Sequence, residues 1–417
     1  MKIFYSILLS FLLLTTAILQ GCGPKEYPAV GDLSLSVFDN QLIRFDTQIG
    51  DIQKEGEIIL LDNGRIALKK INIPNYQRKA TANLHVTLQS NGDRWDKSGS
   101  IFMFPADQPI NLLNIKEGKT TFPNPNKLQE DFKGVLASKD YTPNIELMRF
   151  MTPFGVGYYS TDTVETTKGR KPAYIAQWEN EVVWEQDITD RLPALMGKDI
   201  YIGVWIDTWT PSGYKLSAQL HIEEAYLSND VMPKTYAKPL FNSIAYMGPQ
   251  KSFDYLSRQD ATFEFEIPEG IQNPTIKYLI TGHGGHSKGD EFVKNPNQVY
   301  VDDKLVLDWT PWRDDCASFR RFNPGSGVWM VEVDSAQWID WEQGKYVKGN
   351  IKERVASSDL SRSNWCPGAV VTPVSIPLGN LKAGKHTLKI SMPLSQPTKE
   401  NEFNHWLISA YLIGDQQ

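Results

Sequence analysis

Ala261-Thr262-Phe263-Glu264-Phe265-Glu266-Ile267 places an apolar side chain at every odd position and a polar one at every even position. A period of two belongs to a strand with one face in a core and the other in water. Similar short runs, bounded by Gly, Pro, Asn and Asp, recur at Glu57–Leu61, Asn83–Leu88, Ser100–Phe104, Tyr201–Trp205, Gln298–Val301, Lys385–Ile390 and Trp406–Ile413. Long amphipathic helical stretches are scarce, so the chain reads as all-β, with antiparallel sandwiches or jelly rolls. At 417 residues it exceeds the usual size of one core, which implies two domains.

A Pro-punctuated segment, Asn229 to Gln250, separates two sets of strands and reads as the linker. The expected division is residues 71–228 for the first domain and 251–417 for the second. Residues 23–70 are expected to form an N-terminal extension, part tether and part strand. Ala106 to Asn144 reads as a long insertion between strands.

The chain opens with Lys2, an apolar run from Ile3 to Leu19, and Leu19-Gln20-Gly21-Cys22. This has the form of a bacterial lipoprotein signal over residues 1–22, with Cys22 as the acylated residue; an ordinary secretory signal with an incidental cysteine is the alternative. Either way the protein leaves the cytoplasm, and the lipoprotein reading puts it on the outer membrane, held by a lipid anchor. Only Cys316 and Cys366 then remain, a pair that reads as one disulfide in an oxidising compartment.

Lys and Arg number 43 against 49 Asp and Glu, a net charge of −6 with no basic run, which argues against nucleic acid and for a neutral or weakly charged ligand. Aromatic residues make up 11%, compatible with sugar contacts or with core packing. The six histidines show no metal-ligand spacing, and no metal or organic cofactor is implied. Any activity is therefore expected to survive a chelator; loss in EDTA restored by one particular metal would overturn this.

Four segments concentrate chemistry. Gly92-Asp93-Arg94-Trp95-Asp96-Lys97 puts a carboxylate at a sheet corner, and Trp205-Ile206-Asp207-Thr208-Trp209 sets one between indoles that would share a strand face. A Gly-rich loop with His283 and His286 leads into Asp290-Glu291-Phe292. The two cysteines lie in Trp309–Cys316 and Ser361–Gly368, near Trp312 and Trp365.

Taken in order, these segments resemble the peptide-N-glycosidase F family of bacterial secreted glycoamidases. Trp95-Asp96-Lys97 is similar to its Trp-Asp-Arg, Arg149-Phe150-Met151-Thr152-Pro153 to its Arg-Phe-Ile-Thr-Pro, and Asp207-Thr208-Trp209 to its Glu-Thr-Trp. Glu291-Phe292 is similar to its Glu-Trp, and Arg362 through Gly368 to its Arg-Ala-Gly-Trp-Cys-Pro-Gly. The likeness covers most of the chain beyond about Ile71, departing where Lys97 replaces Arg and Asp207 replaces Glu.

The resemblance implies two adjacent eight-stranded antiparallel jelly rolls with the site at their interface. It makes Asp96 the essential acid/base, with Glu291 and Asp207 as supporting carboxylates. Trp95, Lys97, Trp209, Arg362 and Trp365 become the substrate-binding residues, facing the chitobiose core of N-glycoproteins or glycopeptides, and a monomer is expected. Two other functions are compatible with the same residues: a glycan-binding surface lipoprotein that has lost catalysis, and a glycoside hydrolase, which also uses paired carboxylates.

Overall fold

The computed structural model describes residues 26–123, 133–161, 171–172, 174–247, 255–257, 259–284, 289–325, 327, 329–395 and 404–416. The signal segment with Cys22, and His286, lie outside the described residues.

Among the described residues, ten strands run up to Glu224: β1 (Leu33–Ile43), β2 (Ile52–Glu55), β3 (Ile58–Leu61), β4 (Ile66–Ile73), β5 (Ala80–Ser90), β6 (Ser98–Pro105), β7 (Ile145–Met151), β8 (Val182–Asp187), β9 (Lys198–Ile206) and β10 (Tyr214–Glu224). Eleven follow: β11 (Thr235–Asn242), β12 (Ala261–Ile267), β13 (Ile271–His283), β14 (Asn297–Val301), β15 (Lys304–Trp309), β16 (Trp329–Asp340), β17 (Lys345–Ala356), β18 (Val370–Val371), β19 (Val374–Pro377), β20 (Gly384–Ser391) and β21 (His405–Gln416). All strand pairs are antiparallel and build two jelly-roll sandwiches. The first faces a four-stranded sheet, β1-β10-β5-β8, against a seven-stranded one, β18-β7-β6-β9-β4-β3-β2. The second faces β11-β21-β13-β19 against β12-β20-β14-β15, while β16 and β17 form a separate two-stranded ribbon.

Side-chain pattern explains the difference between the sheets of the first sandwich. β5 and β10 alternate buried and open positions, so their sheet has one wet face. In β6, Ile101 and Met103 point into the core between the sheets, whereas Phe102 and Phe104 join a second apolar cluster on the outer face with Leu112, Leu113, Tyr141 and Tyr246. The seven-stranded sheet is therefore covered on both sides. Its outer cover comes from the insertion between β6 and β7, including the short helix α1 (Leu112–Lys116), and from residues 244–247. Each large apolar side chain so buried contributes about 1.5–3 kcal/mol. Gly203 in β9 permits the close packing, since a Cβ there would lie 2.4 Å from the Phe102 ring.

Three expectations are corrected. The segment read as a linker contains β11, which pairs with β21 at a sheet edge; Pro239 is accommodated at a register shift, where a missing N–H is tolerated. Residues 23–70 are no mere extension: β1 pairs with β10, and β4, which runs across the expected boundary at residue 70, pairs with β9. The first sandwich consequently exceeds eight strands, having gained the β2–β3 hairpin and β18 from the second half of the chain.

Arg149 of β7 clamps the sandwiches together. It is 1% exposed, forms a forked pair with Glu146, and donates Nη1 to Leu407 O (2.6 Å) and Thr281 Oγ1 (3.3 Å) in the second sandwich. Cys316 and Cys366 form the expected disulfide, with Cα atoms 5.1 Å apart, and the flanking loops bind the first sandwich through Asn323 Oδ1 to Phe154 N and Trp184 Nε1 to Gly368 O. Replacing both cysteines by serine is expected to lower stability by up to about 4 kcal/mol, the chain-entropy value for a loop of this length. Calorimetry of the variant against the oxidised protein checks this, and an unchanged melting temperature would refute it.

Candidate active site

Asp96 sits on the β5–β6 turn, held from both sides. Gly92 has φ +125° and no room for a Cβ, which would lie 2.9 Å from Ser212. Asp93, 1% exposed, accepts from the Trp95 amide (3.1 Å) in a local turn and from the Thr208 hydroxyl (2.7 Å). Buried Thr152 accepts from the Lys97 amide (2.7 Å) and donates to Trp95 O (3.0 Å), the oxygen that Tyr214 also binds. The residues before and after Asp96 are thus fixed, and its carboxyl has little freedom.

Glu291 lies on the loop after β13. Its neighbour Asp290 is fully buried and accepts from Asn295 Nδ2 (2.6 Å), Ser395 Oγ (2.6 Å) and Trp406 Nε1 (3.1 Å), anchoring the loop in the second sandwich. The Glu291 carbonyl receives the Ser363 amide (2.9 Å).

Arg362 joins the two. Its Nη1 donates to Glu291 Oε1 and lies 3.4 Å from Asp96 Oδ2, while Nη2 donates to Ser357 O (2.6 Å). The guanidinium rests over the Trp365 ring (4.3 Å) and the Phe292 ring (4.9 Å), and its backbone exchanges hydrogen bonds with Arg313. Two carboxylates separated by 195 positions, one from each sandwich, therefore share one buried cation.

Burial raises the Asp96 pKa above the ordinary carboxylate range, opposed by the positive charges of Arg362 and Lys97. Burial lowers that of Arg362, opposed by Asp96. Asp207 stands a short way off, where burial raises its pKa against Arg65 and Lys97. Its side chain is 41% exposed, so solvent moderates that rise. A carboxyl held above its usual range, on a cation that it shares with a second carboxylate, is suited to proton transfer.

The other expected site residues divide. Trp209 (57% exposed) and Trp95 (39% exposed) present open indoles beside the carboxylates. Trp365 does not: it is 3% exposed, donates Nε1 to Gly282 O (2.8 Å) and lies between Arg362 and the His283 ring, so it supports the guanidinium and offers no face to a sugar. Arg362 is 2% exposed, with Nη1 turned to the carboxylates and Nη2 to the Ser357 carbonyl rather than outward. Trp205 does not share a wet face with Asp207 and Trp209; β9 ends at Ile206, and Trp205 packs edge-on against Tyr246. Reading by residue type missed Arg65, Asp93, Thr152 and Tyr214. Only Asp93 carried a signal, as an Asx residue two before Trp95.

A cavity of about 810 Å³ lies at the opposite end of β5 and β10, lined by Lys79, Asp187, Arg191 and Glu224 among others. It is far from these carboxylates along both strands, whereas they meet where the two sandwiches join.

Residues 34–222 match the family model described as peptide-N-glycosidase F, N terminal, and residues 253–413 the one described as peptide-N-glycosidase F, C terminal. Among solved structures, PNGF-II is 33% identical over 93% of this chain, with a TM-score of 0.75; the chain spans 66% of the length of PNGF-II. PNGase F, a glycosylasparaginase from Flavobacterium meningosepticum, shares the fold at 14% identity, with 92% of this chain and 96% of that one covered and a TM-score of 0.56. No curated protein matches the chain significantly.

Proposed function

The chain belongs to the peptide-N-glycosidase F family, and on that footing we propose that it is a glycoamidase. The reaction is hydrolysis of the amide between asparagine and the innermost GlcNAc of an N-linked glycan, releasing the glycan whole and leaving aspartate. The observation that carries the reading is the meeting of Asp96 and Glu291 on Arg362 at the rim between the sandwiches.

Amide hydrolysis needs a water oxygen to attack the carbonyl carbon, the C–N bond to break, and the leaving nitrogen to gain a proton. Asp96 is assigned the proton transfers, which its raised pKa suits. Glu291 and Arg362 orient it and balance charge as the proton moves. Trp209 and Trp95 supply open aromatic faces for sugar rings, and Lys97 adds positive charge near both Asp96 and Asp207. We further propose that the protein is exported and lipid-anchored through Cys22, which loss of fatty-acid labelling in Cys22→Ser would check.

The test of the function is product analysis on a defined glycopeptide. Aspartate at the glycosylation site with the glycan released intact supports the glycoamidase; GlcNAc retained on asparagine identifies a glycoside hydrolase. An unchanged glycopeptide that nonetheless binds identifies a lectin-like protein. The replacement of the family's Glu by the shorter Asp207 motivates that last reading, since a methylene less moves the carboxylate oxygens away from a bound amide.

A further inference from the structure

Arg65 occupies the turn between β3 and β4, in the stretch that sequence reading left without a role. Three successive residues before it, Asp62 (φ 53°), Asn63 (φ 58°) and Gly64 (φ 88°), adopt left-handed backbone, two of them non-glycine. This turn directs the Arg65 side chain, 7% exposed as a residue, toward the Asp207 end of the site.

Its guanidinium makes three contacts at once. Nε donates to Asp62 Oδ2 (2.9 Å), with Nη2 donating to the same oxygen; Nη1 donates to Asp207 Oδ1 (3.1 Å); and the plane lies 4.1 Å from the centre of the Trp209 ring. Asp62 is held from behind by Lys116 of α1 (3.3 Å), which also binds Asp51 (2.7 Å). Trp209 donates Nε1 to Asp207 Oδ1 (3.0 Å), the oxygen that Arg65 already binds, and Phe45 packs beside the indole at 5.2 Å. Asp207 Oδ2 has no partner among the described residues.

We propose that Arg65 is a positioning residue for the glycan-binding side of the site: it fixes the Asp207 carboxylate through one oxygen so that the other is presented to ligand, and sets the angle of the Trp209 indole. This rests on the glycoamidase reading for the identity of the ligand, not for the geometry. One planar cation coordinates a carboxylate and an aromatic platform that must act on the same sugar, and only a guanidinium has enough donors in a fixed fork to do so while lying over a ring. The N-terminal strands, and through Lys116 the β6–β7 insertion, thereby become part of the site.

The experiment measures KM and kcat on a glycopeptide, and separately the calorimetric affinity for N,N′-diacetylchitobiose across pH, for wild type, Arg65→Ala, Arg65→Lys and Asp62→Asn. Arg65→Ala is expected to raise KM and weaken chitobiose binding by about tenfold or more, with a smaller change in kcat. The groups charged around Asp207 are Arg65, Lys97 and Asp62; removing Arg65 leaves only Lys97 and the Trp209 N–H to favour the ionised carboxylate, against Asp62 and burial. The acid limb of binding should therefore move to higher pH. Arg65→Lys should restore the limb, because charge returns, but not the affinity, because an ammonium cannot replace the stack and the fork. Asp62→Asn should weaken binding in the same direction and less, and it decides the matter should Arg65→Ala fail to fold.

Unchanged affinity in folded Arg65→Lys and Asp62→Asn, with only a lower melting temperature, would overturn the inference and leave Arg65 a structural residue. A wild type that binds chitobiose without turning over the glycopeptide would instead sink the glycoamidase reading while leaving the binding test of Arg65 intact.

Discussion

Asp96→Asn is expected to lower the rate of asparagine-to-aspartate conversion by roughly 10³-fold, the size of a lost general acid/base, with glycopeptide affinity nearly unchanged. Amide and carboxylate differ little in shape, and the turn is fixed by Asp93, Thr152 and Tyr214, not by the Asp96 side chain. Stability should respond in the other direction. Burial raises the Asp96 pKa in the folded protein, so ionising it opposes folding: the group is neutral in both states at low pH, and stability is lost as pH rises through the interval between the unfolded and folded values. At neutral pH the asparagine variant should therefore unfold at a temperature no lower than wild type, and any gain should vanish as the pH approaches about 4. Mass analysis of the glycopeptide and paired melting curves check both halves. Full activity in the variant would remove Asp96 from the chemistry.

β5 and β12 were legible because their alternation is set by burial: each has one wet face, and its polar positions mark it; β10 alternates in the same way but is not among the runs read as strands. The seven-stranded sheet was harder to place. Covered on its outer face by the β6–β7 insertion, it carries apolar residues on both sides, and nothing in Ser100–Phe104 says that half of them meet an insertion rather than a core. Pro239 led to the reading of β11 as linker, although an edge strand accepts proline.

The site divides along the same line. Asp96 and Glu291 could be named from the order of segments, but which cation joins them depends on a chain crossing between two sandwiches. The resemblance makes Trp365 a substrate-binding residue, but nothing in the sequence tells that its indole is buried beneath Arg362. Arg65 had no local signal at all, since its partners Asp207 and Trp209 lie more than 140 positions away.

Arg362 is the residue on which the shared site depends, and its removal should be felt in folding as well as in turnover. Arg362→Met keeps much of the bulk over Trp365 but leaves Asp96 and Glu291 without the cation that they share, at a place where Asp96 is already disfavoured as an anion. Breaking a buried ion pair by deleting one partner costs about 3–5 kcal/mol, because the remaining charges stay desolvated. The loss should be full near neutral pH and shrink as the pH falls toward about 4, through the raised pKa of folded Asp96. Activity should fall by at least about a hundredfold, since the acid/base group would lose its orientation and be shifted further upward. Urea unfolding at the two pH values, with the double variant Asp96→Asn/Arg362→Met alongside, isolates the coupling. If the carboxylates are held apart only by Arg362, neutralising one of them should recover part of the stability lost in Arg362→Met. A double variant as unstable as the sum of the single ones would mean that Arg362 acts through Ser357 and the Trp365 stack alone, and that the two sandwiches do not share a charge.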